Sequence, residues 1–234
     1  MADVSLFDGV AWYVVFLFST TVHEASHALA ALKLGDDTAH RGGQVTLDPT
    51  PHIRREPIGM VVLPLISVLV SGWPLGFASA PYDPEWAEKH PRRAAWMALA
   101  GPGANFLLLL VAGLLLRIGA MSGAFSAPDQ ISFGALADSA DPMWALAGRV
   151  LSVMFSMNLL LMAFNLLPFP PLDGSAVLSL GFGPDTARRY QGFLRSTPML
   201  GWIGLYAAWR LFDFLFDPIF LVAASFLYPG VSYG

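Results

Sequence analysis

VAWYVVFLFSTTVHEASHALAALKL, residues 10–34, is a mostly apolar run of 25 residues whose charged or metal-ligating side chains are His23, Glu24, His27 and Lys33 near its end. A helix needs about 20 apolar residues to cross a bilayer, so the run predicts a transmembrane helix. His23-Glu24-Ala25-Ser26-His27 has the H-E-x-x-H pattern. Its two imidazoles fall one helical turn apart on a single face, where they can share one Zn²⁺ with the intervening glutamate beside it. Ionisable groups inside a membrane span are costly unless paired or coordinated, so their presence there points to chemistry. The bland alternative is a polar patch that hydrogen-bonds between helices.

The rest of the composition agrees with a membrane setting. Of 234 residues, 55% are hydrophobic and only 13% charged, and the apolar residues fall in several long runs. This is the composition of a multi-span membrane protein built as one domain over residues 1–234. The net charge of -4 leaves no basic stripe for a nucleic acid, which excludes that class of partner. There are no cysteines, so neither disulfides nor a thiolate metal site can form, and any metal must be held by histidine and carboxylate. Before the first run, Met1 to Gly9 has no Lys or Arg, and no small-residue cleavage site follows the run, so the helix reads as retained rather than as a signal peptide.

Working outward, residues 36–57 are polar and rich in Gly, Pro and Thr, and the alternation Gln44-Val45-Thr46-Leu47 predicts a small β element. Residues 58–78 are apolar but interrupted by Pro64, Gly72, Pro74 and Gly76, which fits a span or a re-entrant hairpin. Further spans are expected at 94–118, within 143–183 and at 200–227. The fold class is therefore an all-α polytopic membrane protein of about four to six transmembrane helices, with a re-entrant segment and the β element after the first span. Lys33, Arg41, Arg54, Arg55, Lys89, Arg92, Arg93, Arg188, Arg189 and Arg195 fall in loops of one side, while residues 119–142 contain no Lys or Arg. The positive-inside rule makes the basic side cytoplasmic, and the same count favours re-entry at 58–78. His27 lies about 9 Å along the helix from Lys33, so a metal there would be shallow and near the cytoplasmic face.

A hydrolytic zinc needs three protein ligands and one open position. Asp173 is a candidate third ligand, because Asn165-Leu-Leu-Pro168-Phe-Pro170-Pro171-Leu-Asp173-Gly174 breaks a helix with prolines, and broken helices in membrane proteins line polar cavities. Asp173 could equally be a helix N-cap after the prolines. His40, His52 and His90 lie in loops and read as surface histidines. Asn105 reads as a helix-packing residue and Asn158 as an interhelical hydrogen-bonding one.

These segments together resemble the site-2 protease family of intramembrane metalloproteases, peptidase family M50. The family pairs H-E-x-x-H on one span with N-x-x-P-x-x-x-L-D-G on a later one, and Ala100-Gly101-Pro102-Gly103-Ala104-Asn105 is similar to its A-G-P-x-x-N helix, a resemblance that sets Asn105 near the catalytic core as the alternative to packing. The resemblance implies that His23, His27 and Asp173 ligate one Zn²⁺ per chain, that Glu24 is the general base, and that Asn165 helps stabilise the oxyanion. It further implies cleavage of transmembrane protein substrates within or near their spans, in the lipid bilayer. A short chain without sorting signals suits a prokaryotic plasma membrane. A substrate held as an extended strand along the edge of Gly43 to Leu47 is a further expectation. Two other readings remain: a catalytically silent homologue acting as a membrane scaffold, and a metal or ion transporter, which would spread more acids through several spans. A prenyl-protein protease also uses H-E-x-x-H, but with a downstream glutamate ligand in place of Asp173.

Overall fold

Proline and aspartate set many of the helix starts. Asp48, Asp83 and Asp141 each stand before a proline, and their carboxylates accept from the backbone N–H of Thr50, of Glu85, and of Met143 and Trp144. The aspartate satisfies N–H groups that have no partner in the first turn, and the proline has none to lose there. The computed structural model describes residues 6–230. Its helices are α1 (Leu6–Leu34), α2 (Thr38–Arg41), α3 (Pro49–Arg55), a π-helical turn (Ile58–Val62) running into α4 (Leu63–Ser71), α5 (Pro84–Lys89), α6 (Pro91–Met121), α7 (Pro142–Asn165), α8 (Asp173–Val177) continued by a 3₁₀ turn (Leu178–Gly181), α9 (Pro184–Ser196) and α10 (Met199–Ser225).

The long helices α1, α6 and α7 pack on one another, and α10 packs against α7. Leu109, Ala112 and Leu116 of α6, Phe155 and Leu159 of α7, and Phe216 and Phe220 of α10 make the largest apolar cluster. Around α1 the interior is more polar, with Ser19, Thr20, Thr21, His23, Glu24 and His27 all buried. The outward faces are apolar, with Leu69 of α4 at 85% exposure, Phe214 of α10 at 80% and Trp202 of α10 at 77%. Exposed apolar surface on this scale marks a face covered by something other than water. Helices α6 and α7 are long and apolar enough to cross a membrane. Of the four to six spans expected, these two meet that test among the described residues. Helices α1 and α10 have 29 and 27 residues but carry ionisable side chains along their length.

Contacts at the helix termini sort the molecule into two ends. At one, Arg93 Nη1 donates to Leu34 O (3.2 Å), Asp83 N to Asp36 Oδ2 (2.9 Å) and Gln191 Nε2 to Pro91 O (2.9 Å), which gathers the C-terminus of α1, the N-terminus of α6, and α9. At the other, Arg149 pairs with Asp8 (3.2 Å) and Arg117 donates to Leu227 O (3.0 Å). Lys33, Lys89, Arg92, Arg93 and the arginines of α9 thus share the first end, as the charge pattern predicts.

Two expectations for the segment after α1 meet different outcomes. The β element does not form: among the described residues of 36–57 there is no strand, and residues 45–47 are bends between α2 and α3. Four alternating residues have no neighbouring strand to pair with, and the cap at Asp48 with Pro49 turns the chain directly into α3. The edge expected at Gly43 to Leu47 is absent with it. Residues 58–78, in contrast, double back on themselves. The helical arm ends at Gly72, and the following extended segment returns until Phe77 N donates to Gly59 O (3.1 Å). Among the described residues, β-type pairing lies in the connection between α6 and α7, where Ser126 bridges Asp138 and Ser132 bridges Ala135. That connection inserts Phe125 and Leu136 into the main apolar cluster and closes the far end of the bundle.

Candidate metal centre

Helical periodicity puts His23 and His27 on the buried face of α1, both 5% exposed, with their rings edge to face at a centroid distance of 4.6 Å. Asp173 reaches them from a different part of the chain. Helix α7 stops at Asn165, and Pro168, Pro170 and Pro171 keep it from resuming until α8 begins at Asp173. Gly174 lets this start lie directly against the end of α7: a Cβ there would collide with the carbonyls of Leu166 and Leu167. Asp173 is the first residue of α8 rather than its cap, a place taken by Leu172 without a side-chain bond. Its carboxylate turns instead to the histidines, with Oδ2 3.2 Å from His23 Nε2 and 3.3 Å from His27 Nε2. The N-cap alternative for Asp173 is thereby removed.

The three donor atoms suit a divalent cation. The two Nε2 atoms are 2.9 Å apart, which with the carboxylate makes a triangle of 2.9, 3.2 and 3.3 Å edges. Ligands bonded tetrahedrally to zinc at about 2.0–2.1 Å are separated by roughly 3.3 Å. The other ring nitrogens settle which lone pairs face inward. His27 Nδ1 lies 2.8 Å from Met97 O, an acceptor only, so it carries the hydrogen. His23 Nδ1 lies 2.6 Å from Asn105 Oδ1. The amide of Asn105 is oriented by its NH₂, which donates to Asn158 Oδ1 (2.9 Å) and points to Ser19 O (3.5 Å). Neutral imidazoles held this way aim two bare Nε2 lone pairs at each other, an arrangement that repels unless a positive charge sits between them.

Glu24 is also buried, and its Oε2 has no hydrogen-bond partner. An unpartnered buried carboxylate oxygen is costly and marks a place kept for water, a proton or a substrate group. Asn165, the last residue of α7, donates its amide to Leu161 O (2.9 Å) and so rests on its own helix.

Two residues do more than their sequence context predicts. Asn105 is completely buried and does pack helices, but it does so while holding a candidate ligand, and Asn158 supports it from α7 through Met154 O (2.8 Å). No local pattern reveals this, since the partners are 82 and 53 residues apart. His52 is 1% exposed, with Nε2 bonded to Thr46 O (3.1 Å), and is not a surface residue. His40 and His90 are exposed as expected. None of these three joins the metal cluster, which among the described residues is His23, His27 and Asp173.

The sequence pattern of peptidase family M50 matches residues 11–192. A Bacillus subtilis protein with the provisional name zinc metalloprotease YwhC is 31% identical over 166 residues, which are 70% of this chain and 66% of that one. The Mycobacterium tuberculosis protein provisionally named zinc metalloprotease Rip2 is 31% identical over 173 residues, 74% of this chain and 58% of its own. Its Mycolicibacterium smegmatis namesake is 28% identical over 221 residues, 90% of this chain and 76% of its own. The chain thus spans just under two thirds of the first relative and less of the second. No solved structure matches it.

Proposed function

The chain belongs to peptidase family M50, and from that premise we propose that it is an intramembrane zinc metalloprotease that hydrolyses peptide bonds of transmembrane protein substrates within or near their spans. The observation that carries the reading is the convergence of His23, His27 and Asp173 beside a buried, unpartnered Glu24 oxygen.

In this reading His23 and His27 supply two neutral imidazoles and Asp173 one carboxylate, which leaves a fourth position open. Bound zinc would supply a Lewis acid that acidifies a water and polarises the substrate carbonyl. Glu24 Oε2 accepts the proton of that water and later returns it to the leaving amine. Asn105 and Met97 O keep the hydrogens on the Nδ1 atoms, so that both Nε2 atoms remain available. Asn165 is the proposed oxyanion donor and would have to turn its amide away from Leu161 O; such a donor contributes roughly 3 kcal/mol to the transition state. The basic end of the bundle, beside the C-terminus of α1, is placed on the cytoplasmic side of a prokaryotic plasma membrane, and the doubled-back 58–78 segment enters the bilayer without crossing it.

The experiment compares the wild-type chain with Glu24→Gln in proteoliposomes carrying a single-span protein. The variant should bind one zinc per chain yet cleave roughly 100 to 10,000 times more slowly. Cleavage unaffected by Glu24→Gln and by chelators would refute the assignment, and ion flux that survives the substitution would favour a transporter.

A further inference from the structure

Gly101 lies in the middle of α6, where glycine is a poor choice for helix stability. The reason for its presence is found on the facing helix. A Cβ built on Gly101 would stand 2.5 Å from His23 Nε2 and closer still to His27 Nε2. Those are the two atoms offered to the metal, and a carbon pressed against both would push the imidazoles out of the geometry in which they can share one ion. We infer that Gly101 is the positioning residue that keeps the metal position open, with the bare α6 backbone forming one wall of the coordination site, an inference that rests on the metalloprotease reading above.

The rings cannot simply retreat from a methyl group. His27 is tied at Nδ1 to Met97 O and His23 at Nδ1 to Asn105 Oδ1, so rotating either ring away leaves a buried donor and acceptor unpaired. The helices cannot separate easily either. Ala28 and Ala31 on α1 and Ala95 on α6 are fully buried small residues, and closely packed interiors do not open for one atom without losing contacts all along the seam. Two residues further along the same helix the situation reverses: a Cβ on Gly103 would meet nothing within 4 Å. Gly103 therefore serves as a control for the effect of alanine on the helix itself.

The test is a zinc titration of the purified full-length chain, with bound metal counted by elemental analysis, affinity read by chelator competition, and folding followed by circular dichroism. Wild type and Gly103→Ala should each hold one zinc per chain. Gly101→Ala, with all three ligands intact, should lose affinity by more than the roughly 10- to 100-fold that loss of an outer-shell partner costs. Wild-type affinity in a folded Gly101→Ala chain would overturn the inference while leaving the protease reading in place, whereas a wild-type chain that takes up no zinc would end both. If Gly101→Ala does not fold, the same change is made together with His23→Ala and His27→Ala, which removes both rings the Cβ would strike. Recovered folding then upholds the clash with the imidazoles, and continued failure to fold refutes it.

Discussion

Asn105 Oδ1 lies 2.6 Å from His23 Nδ1, so a helix-packing amide on α6 decides which nitrogen of a candidate metal ligand on α1 carries its hydrogen. Outer-shell acceptors of this kind fix both the tautomer and the orientation of a ligand histidine. Asn105→Leu should therefore weaken zinc binding by roughly 10- to 100-fold without touching a ligand. Asn105→Asp preserves the acceptor but gives up the donor to Asn158 Oδ1, so it should lose less metal affinity than Asn105→Leu. Chelator competition on the two variants separates this role from packing, because equal losses in both would mean that Asn105 only fills space.

Asn158 stands one step further out, donating to Ser19 Oγ (3.0 Å) and Met154 O (2.8 Å) while accepting from Asn105. Asn158→Leu strands the Asn105 NH₂ in a buried site, which costs about 1–3 kcal/mol. A lowered melting temperature together with weaker zinc binding is the expected result. A change in stability with metal affinity untouched would show that the amide pair is purely structural.

Gly174→Ala should disconnect Asp173 from the histidines even though Asp173 itself is unchanged. The added Cβ meets backbone carbonyls at the end of α7, which unlike side chains cannot swing aside. Overpacking of this sort costs about 1–3 kcal/mol and would move the start of α8 outward. Zinc content of the folded variant measures the outcome, and one zinc per chain held at wild-type affinity would speak against this account of α8.

At the basic end, the buried Asp36 carboxylate joins the loop after α1 to the loop before α5. Burial alone would raise its pKa, but hydrogen bonds from the Thr38 hydroxyl and N–H and from Asp83 N, with help from Arg41, bring it below the ordinary carboxylate value. A depressed folded-state pKa stabilises the fold above the unfolded value of about 3.9, and that contribution fades as pH falls through the folded pKa. Asp36→Asn should therefore melt at a lower temperature than wild type near neutral pH, and the gap should narrow as pH falls below about 4. Thermal melts across pH check this, and a gap independent of pH would contradict it.

Legibility from sequence followed the range of the interaction. His23 and His27 could be placed on one face because an i,i+4 spacing needs only helix geometry. Asp173 stood out through the prolines that interrupt the chain before it, although only the fold shows that its carboxylate turns to the histidines rather than to a helix N-terminus. The alternation at 44–47 misleads because four residues say nothing about a partner strand, while Asp48-Pro49 beside them is a helix-start signal in plain view. Asn105, Asn158 and the space beside Gly101 are facts of tertiary packing. No local pattern distinguishes an asparagine that fills a seam from one that also holds a ligand.

The most direct measurement is zinc-edge X-ray absorption on the full chain loaded with one equivalent of zinc. The account predicts two imidazole nitrogens and carboxylate oxygen at about 2.0–2.2 Å, with the imidazole scattering reduced by His23→Ala or His27→Ala and the oxygen shell altered by Asp173→Ala. A zinc environment that none of these substitutions changes would place the ion elsewhere and contradict the account.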